Sequence, residues 1–262
     1  MKIGFVGAGN MATAIIKGYI SQSTDEIWAY DIDSAKVDSL ASMGVKPSQD
    51  LAEMANQMDY LFLCVKPQNF TDVLAVLKGH LRPETVIVSI AAGITSSYLK
   101  KELGENTKIV RVMPNTPLLL GCGASALSQV EPCGQEEFQF VCHIFQSSGS
   151  IAVIPESKMN EIITINGSSP AYLYLIAQYF VEYGEQQGID SKTALELFAN
   201  TMTGTAKMIL ESGRSLDELI AMVSSKGGTT LAGLASLRED QLRQTIFHAC
   251  DACTKRAYEL AK

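Results

Sequence analysis

Short, mostly apolar runs alternate with helix-length amphipathic stretches through the first half of the chain. The runs at residues 2–6, 27–30, 60–65, 86–91 and 109–113 have strand length and little polar alternation, which suits strands covered on both faces. Between them, residues 11–20, 34–43, 70–77 and 96–103 read as helices. Strand, helix, strand in repetition predicts a parallel, doubly wound sheet. Two further runs, 124–127 and 151–154, with a helix over 136–145 between them, are expected to close this domain.

After Pro155 the strand-like runs stop and helical periodicity takes over. Ser169-Pro170 reads as a hydroxyl N-cap followed by proline at the first helical position. Tyr172, Leu175, Ile176, Tyr179, Phe180 and Tyr183 then follow at helical spacing until Gly188. A second helix is expected over 191–211, stopping at Gly213. Ser215-Leu216-Asp217-Glu218 has the form of a capping box opening a third, and a last helix is expected over 239–260. The chain therefore reads as an α/β domain over residues 1–155 followed by an all-helical domain over 156–262.

Composition narrows this picture. With 262 residues, 47% hydrophobic and 19% charged, the chain can bury enough apolar surface to offset its folding entropy, which excludes intrinsic disorder. A net charge of −7 argues against a nucleic-acid partner or an anionic membrane surface. Residues 162–181 carry no charge, close to the roughly 20 residues of a spanning helix. Asn166, Gly167, Ser168, Ser169 and Pro170 interrupt that stretch, so it reads as a loop and the start of a core helix. Met1-Lys2 leads straight into an apolar run and a glycine turn, unlike a signal peptide. Six scattered cysteines, several within apolar runs, fit a reducing cytoplasm better than a disulfide framework.

The chemistry starts at residue 7. Gly7-Ala8-Gly9-Asn10-Met11-Ala12 follows the first strand and opens the first helix, as a dinucleotide fingerprint should. Gly7 permits the tight turn, Gly9 lets the backbone approach a pyrophosphate, and small Ala12 lets helix pack on strand. The pyrophosphate then meets free N–H groups at the helix N-terminus. The fold expected is thus Rossmann-type. The second strand ends Tyr30-Asp31-Ile32-Asp33-Ser34-Ala35-Lys36. Asp31 facing the adenosine ribose would favour NADH, whereas Ser34 and Lys36 would bond the extra phosphate of NADPH if Asp31 points elsewhere.

Val65-Lys66-Pro67 follows the third strand and Ala91-Ala92-Gly93 the fourth, both at carboxyl ends where such sheets bind ligands. On location alone, Lys66 fits a solvated loop as well as a cofactor contact. Arg111-Val112-Met113-Pro114-Asn115-Thr116-Pro117 leaves the fifth through a rigid turn that holds Asn115 and Thr116 at the same edge. Ser224-Ser225-Lys226-Gly227-Gly228-Thr229-Thr230 lies between helices; its glycines can present successive N–H groups to an anion, and a flexible capped turn would have the same composition. Cys250 and Cys253 sit mid-helix with no second pair, and His80, His143 and His248 are dispersed, so no metal is expected.

Taken together, Gly4-Phe5-Val6-Gly7-Ala8-Gly9-Asn10-Met11-Ala12, Val65-Lys66-Pro67-Gln68, Ser89-Ile90-Ala91-Ala92-Gly93-Ile94, Arg111 to Pro117, Gly167-Ser168-Ser169-Pro170-Ala171-Tyr172 and Ser224 to Thr230 resemble the pyrroline-5-carboxylate reductases over the whole chain. Lys226 and Ser169 depart from the family, which usually has proline and often glycine there. The resemblance implies NADPH- or NADH-dependent reduction of a cyclic imine to L-proline. It also implies a helical dimerisation domain, with dimers commonly joined in a ring of five, and a substrate held between the cofactor domain of one subunit and the glycine-threonine loop of its partner. Gly227, Gly228, Thr229 and Thr230 would form that loop, with Thr230 near the imine nitrogen and Asn115 at the substrate edge. The alternatives are a related imine or β-hydroxyacid oxidoreductase, which would more typically carry a lysine on the helix after Pro170, and a non-catalytic dinucleotide-binding regulator.

Overall fold

The computed structural model describes residues 1–261. In chain order the first part contains β1 (Lys2–Val6), α1 (Asn10–Ile20), β2 (Glu26–Tyr30), α2 (Ser34–Ala41), β3 (Lys46–Pro47) and α3 (Leu51–Ala55). It continues with β4 (Tyr60–Leu63), α4 (Phe70–Leu77), β5 (Val86–Ser89), α5 (Ser96–Leu103), β6 (Lys108–Met113), β7 (Gly123–Val130), α6 (Gln135–Gln146) and β8 (Gly149–Val153). The strands form one sheet in the order β3-β2-β1-β4-β5-β6-β7-β8.

Both faces of the sheet are covered, which explains the unbroken apolar runs. Along β4, Tyr60 and Phe62 enter the cluster containing α1 and α6, while Leu61 and Leu63 enter the one containing α3 and α4. All neighbouring strands run parallel, as expected of a doubly wound sheet, except β6 and β7, which are antiparallel. The link between those two strands is a single 3-10 turn at Thr116–Leu120, too short for a crossover helix, so the chain reverses. The edge strand β3 and the five-residue α3 were not anticipated, because Lys46-Pro47 has no apolar run to announce it.

Contacts divide the described residues into two compact units, 1–168 with 253–261, and 169–252. The strand-bearing unit thus runs past residue 155 and takes back the end of the last helix. The small cluster of Met113, Ala126, Met159, Ile163 and Ala257 accounts for this, since it packs both segments against β6 and β7. Residues Ile163–Gly167 form a π-helical turn, with the Ser168 N–H donating to the Ile163 carbonyl at 2.7 Å. The chain is therefore already wound before Ser169, which is the first residue of α7 (Ser169–Gln186) and not its N-cap.

The second unit is helical: α7, α8 (Ser191–Glu211), α9 (Leu216–Met222), α10 (Thr229–Glu239) and the first part of α11 (Leu242–Leu260). α7 and α8 pack closely where Gly184 meets Ala194, and Phe180 stacks on Phe198 at 4.2 Å. The capping box of Ser215 and Glu218 is present. The expected helix over 239–260 starts only at Leu242, because Gln241 takes a left-handed φ of 57° and separates it from α10. The core expected along α7 is not formed within one chain: Tyr174 and Tyr183 are 62% and 64% exposed. Among the described residues no helix is long and apolar enough to cross a membrane.

Candidate functional site

The glycine turn between β1 and α1 has one glycine demanded by the fold and one that the fold leaves open. Gly7 has φ +95°, and a Cβ there would stand 2.9 Å from the Cys64 carbonyl oxygen. Gly9 is the N-cap of α1 in extended conformation, and a Cβ there would meet nothing within 4 Å. No side chain caps α1, so its first N–H groups face outward from Asn10, Met11 and Ala12. Ala12 is fully buried in the core and lets α1 lie close to the sheet. The arrangement is an anion seat: unsatisfied donors, the positive end of a helix, and free space in front of Gly9.

Asp31 lies at the end of β2 but points back at this turn. Its Oδ2 accepts the Ala8 N–H at 2.8 Å, its Oδ1 accepts the Asp33 N–H at 2.9 Å, and the Lys36 ammonium stands 3.8 Å away. Ser34 and Lys36 are exposed, and Ser34 lines a cavity of about 170 Å³ together with Tyr30, Asp31 and Gln49. Asp31 therefore braces the glycine turn. Asp31→Ser removes the acceptor of the Ala8 N–H, so affinity for NADH and for NADPH should fall together, roughly two- to tenfold, with their ratio unchanged. Titrating both cofactors against the variant checks this; a ratio shifted towards NADPH would show the carboxylate working on the ribose instead.

Val65, Lys66 and Pro67 follow β4, with Lys66 exposed and extended before a 3-10 turn. Ala91, Ala92 and Gly93 follow β5. Gly93 has φ +75°, and a Cβ there would stand 3.1 Å from the Leu260 carbonyl, so the end of α11 backs this loop. A polar brace holds its far side. Glu156 accepts the Ser96 N–H at 3.0 Å and the Ser96 hydroxyl at 2.7 Å, at the start of α5, and pairs with Arg111 of β6 at 3.1 Å. Burial alone would raise the Glu156 carboxyl, yet the bonds from Ser96 and the Arg111 guanidinium hold it below the usual carboxylate range. Burial pulls the Arg111 guanidinium below its ordinary value, and Glu156 opposes that.

Asn115, 9% exposed, accepts the Ala124 N–H on its Oδ1 at 2.9 Å, which leaves its amide nitrogen as a donor for a ligand. Sequence reasoning missed Glu156, which stands in no motif; a buried arginine in the middle of a strand was the signal that a carboxylate had to be nearby.

In the helical unit, Gly227 has φ +74° and Gly228 is the N-cap of α10. The Gly228 N–H closes a turn onto the Ser225 carbonyl at 2.9 Å. No side chain caps α10, so the N–H groups of Thr229 and Thr230 open the helix unsatisfied, as at α1. In the same unit α8 begins on an Asp190 side-chain cap. Lys226 is exposed beside the loop. Among the described residues no three His, Cys, Asp or Glu side chains converge to hold a metal ion.

The chain is similar to known proteins along its full length. A family profile described as pyrroline-5-carboxylate reductase dimerisation matches residues 156–260. One described as NADP oxidoreductase, coenzyme F420-dependent, matches residues 2–93. A pyrroline-5-carboxylate reductase of Methanosarcina acetivorans is 36% identical, the match covering 100% of this chain and 98% of the relative. That of Escherichia coli K12 is 33% identical with the same coverage. Among solved structures, a pyrroline-5-carboxylate reductase from Coxiella burnetii superposes with a TM-score of 0.91 at 33% identity, over 99% of this chain and 98% of that one. A Plasmodium falciparum pyrroline carboxylate reductase with NADP bound gives 0.90 at 26% identity, over 100% and 98%.

Proposed function

The chain belongs to the pyrroline-5-carboxylate reductase family, and we propose that it reduces the cyclic imine 1-pyrroline-5-carboxylate to L-proline with NADPH or NADH. The observation that carries this reading is the open space in front of Gly9, over an uncapped α1, at the carboxyl edge of the sheet. The residues present fit a dinucleotide there, with Gly7 to Ala12 at its pyrophosphate, Ser34 at its adenosine end, and Val65 to Pro67 and Ala91 to Gly93 along its nicotinamide half.

When bound, a reduced nicotinamide supplies a hydride to the imine carbon. That carbon is a better electrophile when the ring nitrogen carries a proton, so no strong side-chain acid is required if the substrate arrives as the iminium. Positioning is then the protein's main task. The N–H groups of Thr229 and Thr230 hold the substrate carboxylate, the Gly228 N–H being engaged by the Ser225 carbonyl, with the Thr230 hydroxyl beside the imine nitrogen. Thr230→Ala should lower kcat/KM for the imine roughly ten- to hundredfold, about 1–3 kcal/mol, and leave cofactor affinity intact. Unchanged kinetics would remove Thr230 from the site.

The helical unit makes the protein a homo-oligomer. Its exposed row of Tyr174, Tyr179, Phe180 and Tyr183 on α7 is apolar surface of the kind that a second copy covers. The dimers close into a ring of five, which light scattering of the purified protein tests. The six cysteines, all unpaired, suit work in a reducing cytoplasm. The test of the activity is direct: the purified protein consumes NADPH or NADH only when pyrroline-5-carboxylate is supplied. No turnover with either cofactor would end this reading.

A further inference from the structure

The π-helical turn at Ile163–Gly167 places a buried amide against the carboxyl edge of β6. The Nδ2 of Asn166 donates to the Met113 carbonyl at 2.7 Å and to the Ala124 carbonyl at 3.1 Å. Two carbonyl acceptors settle which way this amide faces, since the reversed amide would set oxygen against oxygen. Its Oδ1 therefore looks away from both strands, buried and with no hydrogen-bond partner among the described residues. A buried acceptor left unmet is unfavourable and is rare in folded proteins. Turns of this kind, with one residue more than an α-helix allows, are frequent at functional sites.

The neighbourhood identifies what the oxygen can meet. Met113 ends β6, where ligands of such sheets bind. Ala92, in the loop assigned to the nicotinamide half of the cofactor, packs on the cluster that contains Met113 and Ile163. A Cβ on Gly167 would stand 3.3 Å from the Met113 Sδ, so the turn lies tight against the same edge. A reduced or oxidised nicotinamide carries a primary carboxamide, whose –NH2 is a donor without a partner in the sequence motifs already assigned.

We propose that Asn166 is a cofactor-binding residue of this reductase, its buried Oδ1 accepting a hydrogen bond from the nicotinamide carboxamide while its Nδ2 holds the ends of β6 and β7. The inference rests on the reading of the site as dinucleotide-binding. It adds an anchor that sets the orientation of the ring and that no glycine motif supplies.

The test compares dissociation constants for NADP+, for its 3-acetylpyridine analogue, in which a methyl replaces the –NH2, and for 2′-phospho-ADP-ribose, which has no nicotinamide. The native protein should bind NADP+ roughly tenfold more tightly than the acetylpyridine analogue. In Asn166→Ala that preference should fall to about twofold or less, with affinity for 2′-phospho-ADP-ribose unchanged. A preference that survives in Asn166→Ala, or equal losses for all three ligands, would overturn the proposal and leave Asn166 a strand-end tie. Should the alanine variant not fold, the native protein still decides: no preference for the carboxamide over the acetyl group refutes the contact, and Asn166→Ser repeats the comparison with the Oδ1 removed. Binding is read without the imine, so an enzyme that reduces pyrroline-5-carboxylate yet shows no preference refutes this proposal alone.

Discussion

Gly9→Val should fold nearly as stably as the native chain and lose at least about a hundredfold in affinity for NADPH and NADH, about 3 kcal/mol. The separation of the two effects follows from geometry. Gly9 has φ −76° and ψ −175°, a conformation open to β-branched residues, and its Cβ position is free of protein atoms. Exchanging one residue for another at an N-cap without a side-chain bond costs about 1 kcal/mol or less. The valine methyls would instead fill the space in which the pyrophosphate must reach the N–H groups of α1. Gly7→Ala is the contrasting control, because a positive φ and the Cys64 carbonyl at 2.9 Å make it a folding defect. Thermal unfolding together with cofactor titration checks both; a Gly9→Val protein that binds either cofactor at native strength would place the pyrophosphate elsewhere.

Glu156→Ala should destabilise the strand-bearing unit by about 3 kcal/mol, the low end of the cost of leaving a buried charge unpaired. Arg111 has only 6% of its side chain exposed and would lose its only ion-pair partner among the described residues, whereas Glu156 keeps 29% exposed, so water can soften the loss. Relative to a total stability of about 5–15 kcal/mol this is large, and it corresponds to a Tm lowered by roughly 10 °C. Adding Arg111→Met removes the orphaned charge and should recover most of the drop. The pH dependence has a definite sign. A carboxyl held below its unfolded value contributes stability at neutral pH and loses it as pH falls through the folded pKa. The native protein should therefore weaken in acid more steeply than Glu156→Ala, as unfolding midpoints across pH will show; parallel curves would mean that the pair contributes nothing.

What could be read from the residues alone was the material buried on both sides. Tyr60 to Leu63 and Val86 to Val88 are unbroken apolar runs because α-helices cover each face, and the pattern is local. The glycine turn was legible for the same reason, since strand, turn and helix are contiguous. The reversal at β7 depended on how short the Thr116–Leu120 link is in space, and the break before α11 on a left-handed Gln241 that no glycine announces. Asp31 was found by its place at the end of β2, but its direction is set by the Ala8 amide, 23 residues away in sequence. Asn166 carries no motif at all; only the convergence of two carbonyls and an unmet oxygen marks it. The apolar periodicity of α7 was plain, yet periodicity cannot say whether the covering surface comes from the same chain or another.

Hydride transfer from the nicotinamide to the imine carbon leaves a mark in the product. It is read by supplying pyrroline-5-carboxylate with NADPH deuterated on the transferred face of the nicotinamide and examining the product by mass spectrometry and NMR. Proline with one deuterium at the ring carbon bonded to nitrogen and remote from the carboxylate is the expected product. Oxidation of the cofactor with no deuterium in proline, or no proline formed, would contradict the assignment.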